Sequence, residues 1–364
     1  YHYQYDVRAL ERTAARWIAC AAAFGIVLGG AAALVLVAAG QWSSAGAAFS
    51  VYLALQPTMW AANAGLFAIR RSVIASLAVL LPTIPVWYGL RLGVSPLPVH
   101  AAGLAAADVL LIVAALVCFR REARGGAPAR RPLPRAAIPG AIGGYAAWGL
   151  VYFLLIFMDR LVAWTGDGRI AFQPGYEAAL QVALVPLLLV LPALEYVLAR
   201  FGQLLRIATR RVDVDAASMG RRNAIRTMTR LVAGCLGAYA LLGVGVWLVV
   251  HRLGHLLPLH VSQLITEPDT DRAFVIALVA YGAFVVALGI SSAYQLLARP
   301  WPMVAAGSIA VVADAVVGLV ARAHAGPEMA SLGLLTGGIV FMAGMAIAWR
   351  RHRRRVDYLW FAAS

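Results

Sequence analysis

Apolar runs of about twenty residues recur along the whole chain, and short stretches rich in arginine separate them. A helix of about 20 apolar residues crosses the roughly 30 Å hydrocarbon core of a bilayer. Ten runs meet this condition and predict ten spans: 14–39, 46–69, 72–92, 99–119, 137–163, 177–199, 229–251, 271–296, 302–322 and 328–349. Only 13% of the 364 residues are charged, against about a quarter in a soluble domain. We therefore predict an all-α, polytopic transmembrane helical protein.

The basic residues indicate how the spans are oriented. All 31 are arginines, and they cluster in the connections between apolar runs, which is typical of membrane topology rather than of a nucleic-acid-binding face. If the spans alternate in direction, 25 arginines fall on one side and five on the other. Because cytoplasmic loops carry the excess of Lys and Arg, both ends of this chain are predicted to be cytoplasmic.

The longest Pro- and Arg-rich connection divides the chain into two lobes. Residues 1–119 form a predicted N-terminal lobe of four spans, and 120–136 form a cytoplasmic linker. Residues 137–349 form a C-terminal lobe of six spans, followed by a basic cytoplasmic tail at 350–364. If the lobes are equal, two further spans precede Tyr1 and the intact protein has about twelve. Such paired repeats are a common transporter plan.

Few charged residues lie inside the predicted spans, and each is a candidate for a substrate path or gate. A charge at the bilayer centre costs about 2.5–3.5 kcal/mol on insertion scales, so it usually faces protein or a water-filled cavity. The candidates are Asp108, Asp159, Arg160, Glu195 and Asp314.

Each candidate also has a purely structural interpretation. Asp159 and Arg160 lie near the end of their apolar run and could be interfacial anchors whose side chains reach back to water. Glu195 could be an interfacial acid paired with Arg200, and Asp108 and Asp314 could be polar groups satisfied by packing. The GxxxG pairs, among them Gly333/Gly337, allow close helix approach within one chain or between chains.

Two stretches resemble a known transporter family. IFMDRLVAW at 156–164 and PGYEAALQVALVPLLLVLPALEYVLARF at 174–201 are similar to the Pel exopolysaccharide transporter family (PelG-type), within the multidrug/oligosaccharidyl-lipid/polysaccharide flippase superfamily. In that family an aromatic-flanked Asp-Lys, a Pro-x-Tyr-Asp/Glu motif and a Glu followed by an aromatic residue recur. The matching positions here are Asp159, Arg160 and Trp164, then Pro174, Tyr176 and Glu177, then Glu195 and Phe201, with Arg160 in place of lysine.

The resemblance implies a two-lobed flippase or MATE-like fold, a location in the bacterial inner membrane and a function in transport. It implies polysaccharide export from cytoplasm to periplasm during biofilm matrix production, with an amino-sugar-rich exopolysaccharide as cargo. The implied partners are the polysaccharide chain, a cytosolic glycosyltransferase, membrane scaffold proteins of the same biosynthesis complex, and membrane lipid. No nucleic acid, cofactor or metal is expected.

The residues themselves leave alternative functions open. A cation-coupled flippase or exporter of lipid-linked oligosaccharides or small molecules fits the same pattern, with Asp108 or Asp314 as the proton or Na⁺ site. A membrane-embedded glycosyltransferase is disfavoured, because no sizeable extramembrane loop with a close acid pair is present, so we expect no enzyme. The segment 200–230 is predicted to be a cytoplasmic connection that meets anionic lipid or a partner. Its partner-docking candidates are Arg210, Arg211, Arg221 and Arg222.

Overall fold

Helices account for nearly all of the described structure. The computed structural model describes residues 7–38, 40, 42–68, 71–92, 96–125, 137–166, 169–170, 173–209, 214–252 and 265–356. In this part of the chain, eight helices are long and apolar enough to cross a membrane. The chain is thus of the multi-pass membrane class, as its composition predicts. It divides into two compact units, Tyr1–Pro134 and Arg135–Ser364.

Among its described residues, the first unit contains five helices. They are α1 (Val7–Ala38), α2 (Ser44–Ala68), α3 (Ser72–Leu80), α4 (Thr83–Arg91) and α5 (Pro96–Gly125). Helices α1 and α2 pack closely, because Gly25 lies against the Ala54 carbonyl and Gly29 lies against that of Ser50. Small residues permit such backbone approach between membrane helices. The Gly25/Gly29 pair therefore serves contact within this chain.

The predicted third span, 72–92, is not one continuous helix. It consists of the nine-residue helices α3 and α4, which are separated at Leu81 and Pro82. A proline has no amide hydrogen to donate to the preceding turn, and its ring crowds that turn. At the break, the Thr83 hydroxyl donates to the Leu80 carbonyl at 2.6 Å. Hydropathy alone detects the apolar run but not this break.

In the part of the second unit that the structure describes, there are six long helices. They are α6 (Ala137–Trp164), α7 (Pro174–Thr209), α8 (Val214–Arg252), α9 (Pro268–Leu296), α10 (Trp301–Ala325) and α11 (Ser331–His352). A pair of two-residue antiparallel strands, β1 (Thr165–Gly166) and β2 (Arg169–Ile170), lies between α6 and α7. Helix α9 is the most buried and packs against α7, α8 and α11, while α10 packs against α6 and α11.

Helices α7 and α8 are much longer than the predicted spans at 177–199 and 229–251. With 36 and 39 residues and a rise of 1.5 Å per residue, they are about 54 and 58 Å long. The segment 200–230, predicted as a cytoplasmic connection, is therefore helical at 200–209 and 214–230, which excludes a solvated loop over these residues. These ends pack on each other, with Gly220 lying against the Ala208 methyl group. Leu205 and Ala224, on these parts of the two helices, are fully buried.

A stripe of small residues brings α10 and α11 into close contact. A Cβ atom added to Gly333 would lie 2.5 Å from the Asp314 carbonyl oxygen, and one added to Gly337 would lie 2.9 Å from the Asp314 Cβ. The Gly333/Gly337 pair is thus also used within the chain. We expect Gly333→Ala to lower the free energy of unfolding by about 1–3 kcal/mol, because overpacking forces the helices apart.

A matched glycine provides the control for this prediction. Gly234 of α8 has nothing within 4 Å of an added Cβ. Gly234→Ala should therefore keep or raise stability, since alanine is favoured over glycine in a helix by about 1 kcal/mol. Thermal unfolding of the two purified variants in detergent measures the difference. Equal melting temperatures would contradict the close contact of α10 with α11.

Candidate functional site

Four motif residues form a buried cluster that joins α6 to α7. The Tyr176 hydroxyl donates a hydrogen bond to Asp159 Oδ2 at 2.8 Å, and Arg160 Nε donates to Glu177 Oε2 at 3.1 Å. The side chains of Asp159 and Tyr176 are 0% exposed, Arg160 is 5% exposed and Glu177 is 7% exposed. Two neighbouring residues on each helix thus form two parallel polar contacts.

The arginine in the cluster is held from several sides. Its Nη1 donates to the Ile156 carbonyl at 2.7 Å, one turn earlier in the same helix. The guanidinium carbon lies 5.1 Å from the centre of the Phe157 ring, within the range of a cation–π contact. Tyr281 of α9 lies beside it and is 1% exposed. The side chain therefore has one fixed orientation in the bundle.

Burial excludes the anchor interpretation of Asp159 and Arg160. An interfacial anchor keeps its charged end in water, whereas these two side chains lie inside the helix bundle. Taking a charge out of water costs several kcal/mol unless a partner and hydrogen bonds compensate it. The contacts with Tyr176, Glu177 and Ile156 provide that compensation.

Asp314 lies at the level of this cluster on a third helix. Helices α6 and α10 pack in parallel, with Gly307 against Val151 and Gly318 against Val162. The two contacts are equally spaced along both helices, so Asp314 is level with Asp159. The two carboxyl groups interact electrostatically. Asp314 is 0% exposed, and within the described residues neither of its carboxylate oxygens has a hydrogen-bond partner.

The other acidic candidates lie elsewhere. Asp108 is buried in α5 of the first unit, and its Oδ1 has no hydrogen-bond partner among the described residues. Glu195 is exposed on α7 rather than facing the interior of its bundle. No ion pair between Glu195 and Arg200 occurs in the described structure, since Arg200 Nη1 donates to Gln203 Oε1 at 2.6 Å. The role of Glu195 as a path or gate residue stays a prediction.

The remaining motif residues have different surroundings. Trp164 is partly buried and lies beside Glu177, and Pro174 begins α7, where a missing amide hydrogen is tolerated. Phe201 is 1% exposed and packs edge-on against Trp349 with ring centres 6.1 Å apart, at the opposite end of α7 from Glu177. Phe201 thus stabilises the bundle and takes no part in the cluster.

The predicted docking arginines are only partly described. Arg210 and Arg211 lie outside the described residues. Arg221 Nη1 donates to the Arg354 carbonyl at 3.3 Å, which joins the start of α8 to the basic tail, and Arg222 is exposed. Tyr281 and Phe157 were not predicted as part of the site. A lone tyrosine in the apolar run ALVAYGAFVV of α9 was the available signal for Tyr281.

Comparisons with protein-family models, with curated proteins and with solved structures find no match for this chain.

Proposed function

We propose that the chain is a transporter of the bacterial inner membrane that translocates an exopolysaccharide from cytoplasm to periplasm during biofilm matrix production. The proposed cargo is Pel-like and rich in amino sugars, and the proposed architecture is a two-lobed, MATE-like flippase with ten spans in this chain. The observation that carries the proposal is the buried cluster. Four of the residues that resemble the family motif, on two consecutive helices, form two buried polar contacts there between α6 and α7.

The chemistry of the cluster suits a gate for sugars. Carboxylates accept hydrogen bonds from sugar hydroxyl and amino groups, and an arginine donates to sugar oxygens. The two contacts hold α6 and α7 together beside the short connection that joins them. In the proposed cycle these contacts exchange for contacts with the polymer when the helices separate. We call the two contacts, Asp159 with Tyr176 and Arg160 with Glu177, the latch of the proposed gate. The same side chains would also recognise the polymer.

A second candidate is a cation-coupled flippase or exporter on the same fold. It is favoured by Asp314, a buried acid without hydrogen-bond partners in the described structure and next to a second acid. Ionisable residues inside membrane proteins commonly mark ion or proton pathways. In this candidate a cation or proton at Asp314 drives the transport that the latch controls.

The latch is tested by Tyr176→Phe, which removes one hydroxyl and keeps the ring. We expect export of polysaccharide to fall about tenfold, because Asp159 loses its 2.8 Å hydrogen bond and one buried hydrogen bond to a charged group contributes about 1.5–3 kcal/mol. Polymer outside the cells is measured together with the amount of protein in the membrane. Tyr145→Phe is the matched control, since its hydroxyl donates to the Gln295 carbonyl near the other end of the bundle.

A variant with the two charges swapped can contradict the proposed gate. In the chain carrying Asp159→Arg and Arg160→Asp, an arginine meets Tyr176 and an aspartate meets Glu177, so the latch cannot form. Wild-type export by this swapped chain at normal abundance would contradict the proposed gate.

A further inference from the structure

A surface stripe on α7 changes from apolar to basic along the helix. Residues three or four positions apart share a helix face. On this face the exposed Val185, Leu188 and Leu189 are followed by Tyr196, which is 62% exposed. The exposed residues Arg200, Gln203 and Arg206 continue the same face towards the end of the helix.

The neighbouring helix shows where this stripe crosses the membrane boundary. The apolar run of α8 begins at Leu231, directly after Arg230. Because Gly220 of α8 lies against Ala208 of the antiparallel α7, Leu231 is level with about residue 197 of α7. Tyr196 therefore lies at the hydrocarbon boundary. With a rise of 1.5 Å per residue, the Cα atoms of Arg200 and Arg206 lie about 5 and 14 Å outside it.

Helix geometry directs the α7 arginines back towards the bilayer. Every Cα–Cβ bond in a helix tilts towards the helix N-terminus. Helix α7 leaves the membrane with its C-terminal end, so Arg200 and Arg206 lean towards the lipid headgroups. Helix α8 enters the membrane from its N-terminal end, so Arg222 and Arg226 lean away from them.

The two α7 arginines line a surface groove of about 500 Å³, together with Tyr196, Ala199, Gln203 and Ile207. The hydrogen bond of Arg200 to Gln203 goes to a neutral amide, so it leaves the positive charge of the guanidinium uncompensated. Arginine binds phosphate oxygens through a planar set of donors. Glu195, exposed beside Tyr196, is the acidic group on the apolar side of the groove.

We propose that this groove binds the phosphate headgroup of an anionic phospholipid. Arg200 and Arg206 contact the phosphate, Tyr196 contacts the glycerol region, and the acyl chains lie along Val185, Leu188 and Leu189. The sequence of apolar, aromatic and basic residues matches the order of the parts of a phospholipid from bilayer to water. Charge complementarity and the position at the membrane boundary favour a lipid over a soluble anion. The site is independent of the transported cargo.

The test is native mass spectrometry of the full chain after exchange into micelles doped with phosphatidylglycerol or phosphatidylcholine. We expect retained phosphatidylglycerol adducts on the wild type, and about 30-fold weaker binding to the double variant Arg200→Gln, Arg206→Gln. Each arginine near a membrane surface contributes about 1 kcal/mol, and about 2 kcal/mol corresponds to that factor. Glu195→Gln should strengthen binding, because it removes the nearby negative charge.

The matched control is the double variant Arg222→Gln, Arg226→Gln, which removes the same charge from the arginines that lean away. It should bind phosphatidylglycerol as the wild type does. Equal loss of lipid in both double variants would overturn the groove in favour of a general effect of net charge. Unchanged binding in the α7 variant would overturn it outright. Displacement of the lipid by millimolar glycerol phosphate would also overturn it, in favour of a soluble phosphate site.

Discussion

Arg160→Met is expected to remove most of the folded protein from the membrane. The substitution keeps the length of the side chain but leaves Asp159 and Glu177 buried without the cation between them. Breaking a buried ion pair by removing one partner costs about 3–5 kcal/mol, because the remaining charge stays out of water. We expect a severe loss of monodisperse protein on size exclusion and a large drop in melting temperature.

An exposed ion pair provides the control for this loss. Arg272 pairs with Asp269 at 3.3 Å, and both side chains are about two-thirds exposed. Arg272→Met should change the free energy of unfolding by no more than about 1 kcal/mol. The triple variant Arg160→Met, Asp159→Asn, Glu177→Gln removes the uncompensated charges together with the arginine and should recover part of the stability. Wild-type stability of Arg160→Met alone would contradict the buried pair.

Asp314→Asn is expected to keep the protein at least as stable as the wild type, unlike Arg160→Met, and to reduce transport strongly. The described structure gives the Asp314 carboxyl group no hydrogen-bond partner, and it lies at about the level of a second acid, Asp159. Asparagine keeps the size of the side chain and loses no hydrogen bond, so we expect the bundle to be at least as stable. A group that is kept at a cost to stability commonly serves function, so we expect export to fall at least tenfold while abundance stays normal.

Two measurements separate these effects. The melting temperature of purified Asp314→Asn should equal or exceed that of the wild type, and Asp269→Asn, at an exposed position, should change neither stability nor export. Loss of export with full stability favours cation coupling through Asp314. Unchanged export at normal abundance would show that the carboxylate has no part in transport. A lower melting temperature for Asp314→Asn than for the wild type would contradict the observation that the Asp314 carboxylate has no hydrogen-bond partner in the described structure.

Hydropathy predicted the six helices of the second unit, because each apolar run is long and the connections are polar. It missed the break between α3 and α4, since Pro82 interrupts a run without changing its hydropathy. It also ended α7 about ten residues too early and began α8 about fifteen residues too late. The end of α7 and the beginning of α8 are rich in arginine, which is a good helix former, and they also contain buried apolar residues such as Leu205 and Ala224.

The sequence could predict only part of the candidate site, because the contacts within it depend on how the helices pack. Asp159 and Arg160 stood out as charges in an apolar run, and the resemblance drew attention to Tyr176 and Glu177. The contacts among these four residues depend on how α6 and α7 face each other. The position of Asp314 beside the cluster depends on the register of α6 against α10. This register is determined by the contacts of Gly307 and Gly318 with valines that are distant in sequence. Spacing along one helix contains no such information.

The most direct test of the proposed function is transport by the purified protein in liposomes. An amino-sugar oligosaccharide is added outside, and a glycosidase that digests it is trapped inside, so that digestion reports translocation. We predict digestion with wild-type protein and with Tyr145→Phe, and about tenfold slower digestion with Tyr176→Phe at equal protein content. No digestion above protein-free liposomes, or equal rates for Tyr176→Phe and the wild type, would contradict a polysaccharide transporter gated at the Asp159–Tyr176 contact.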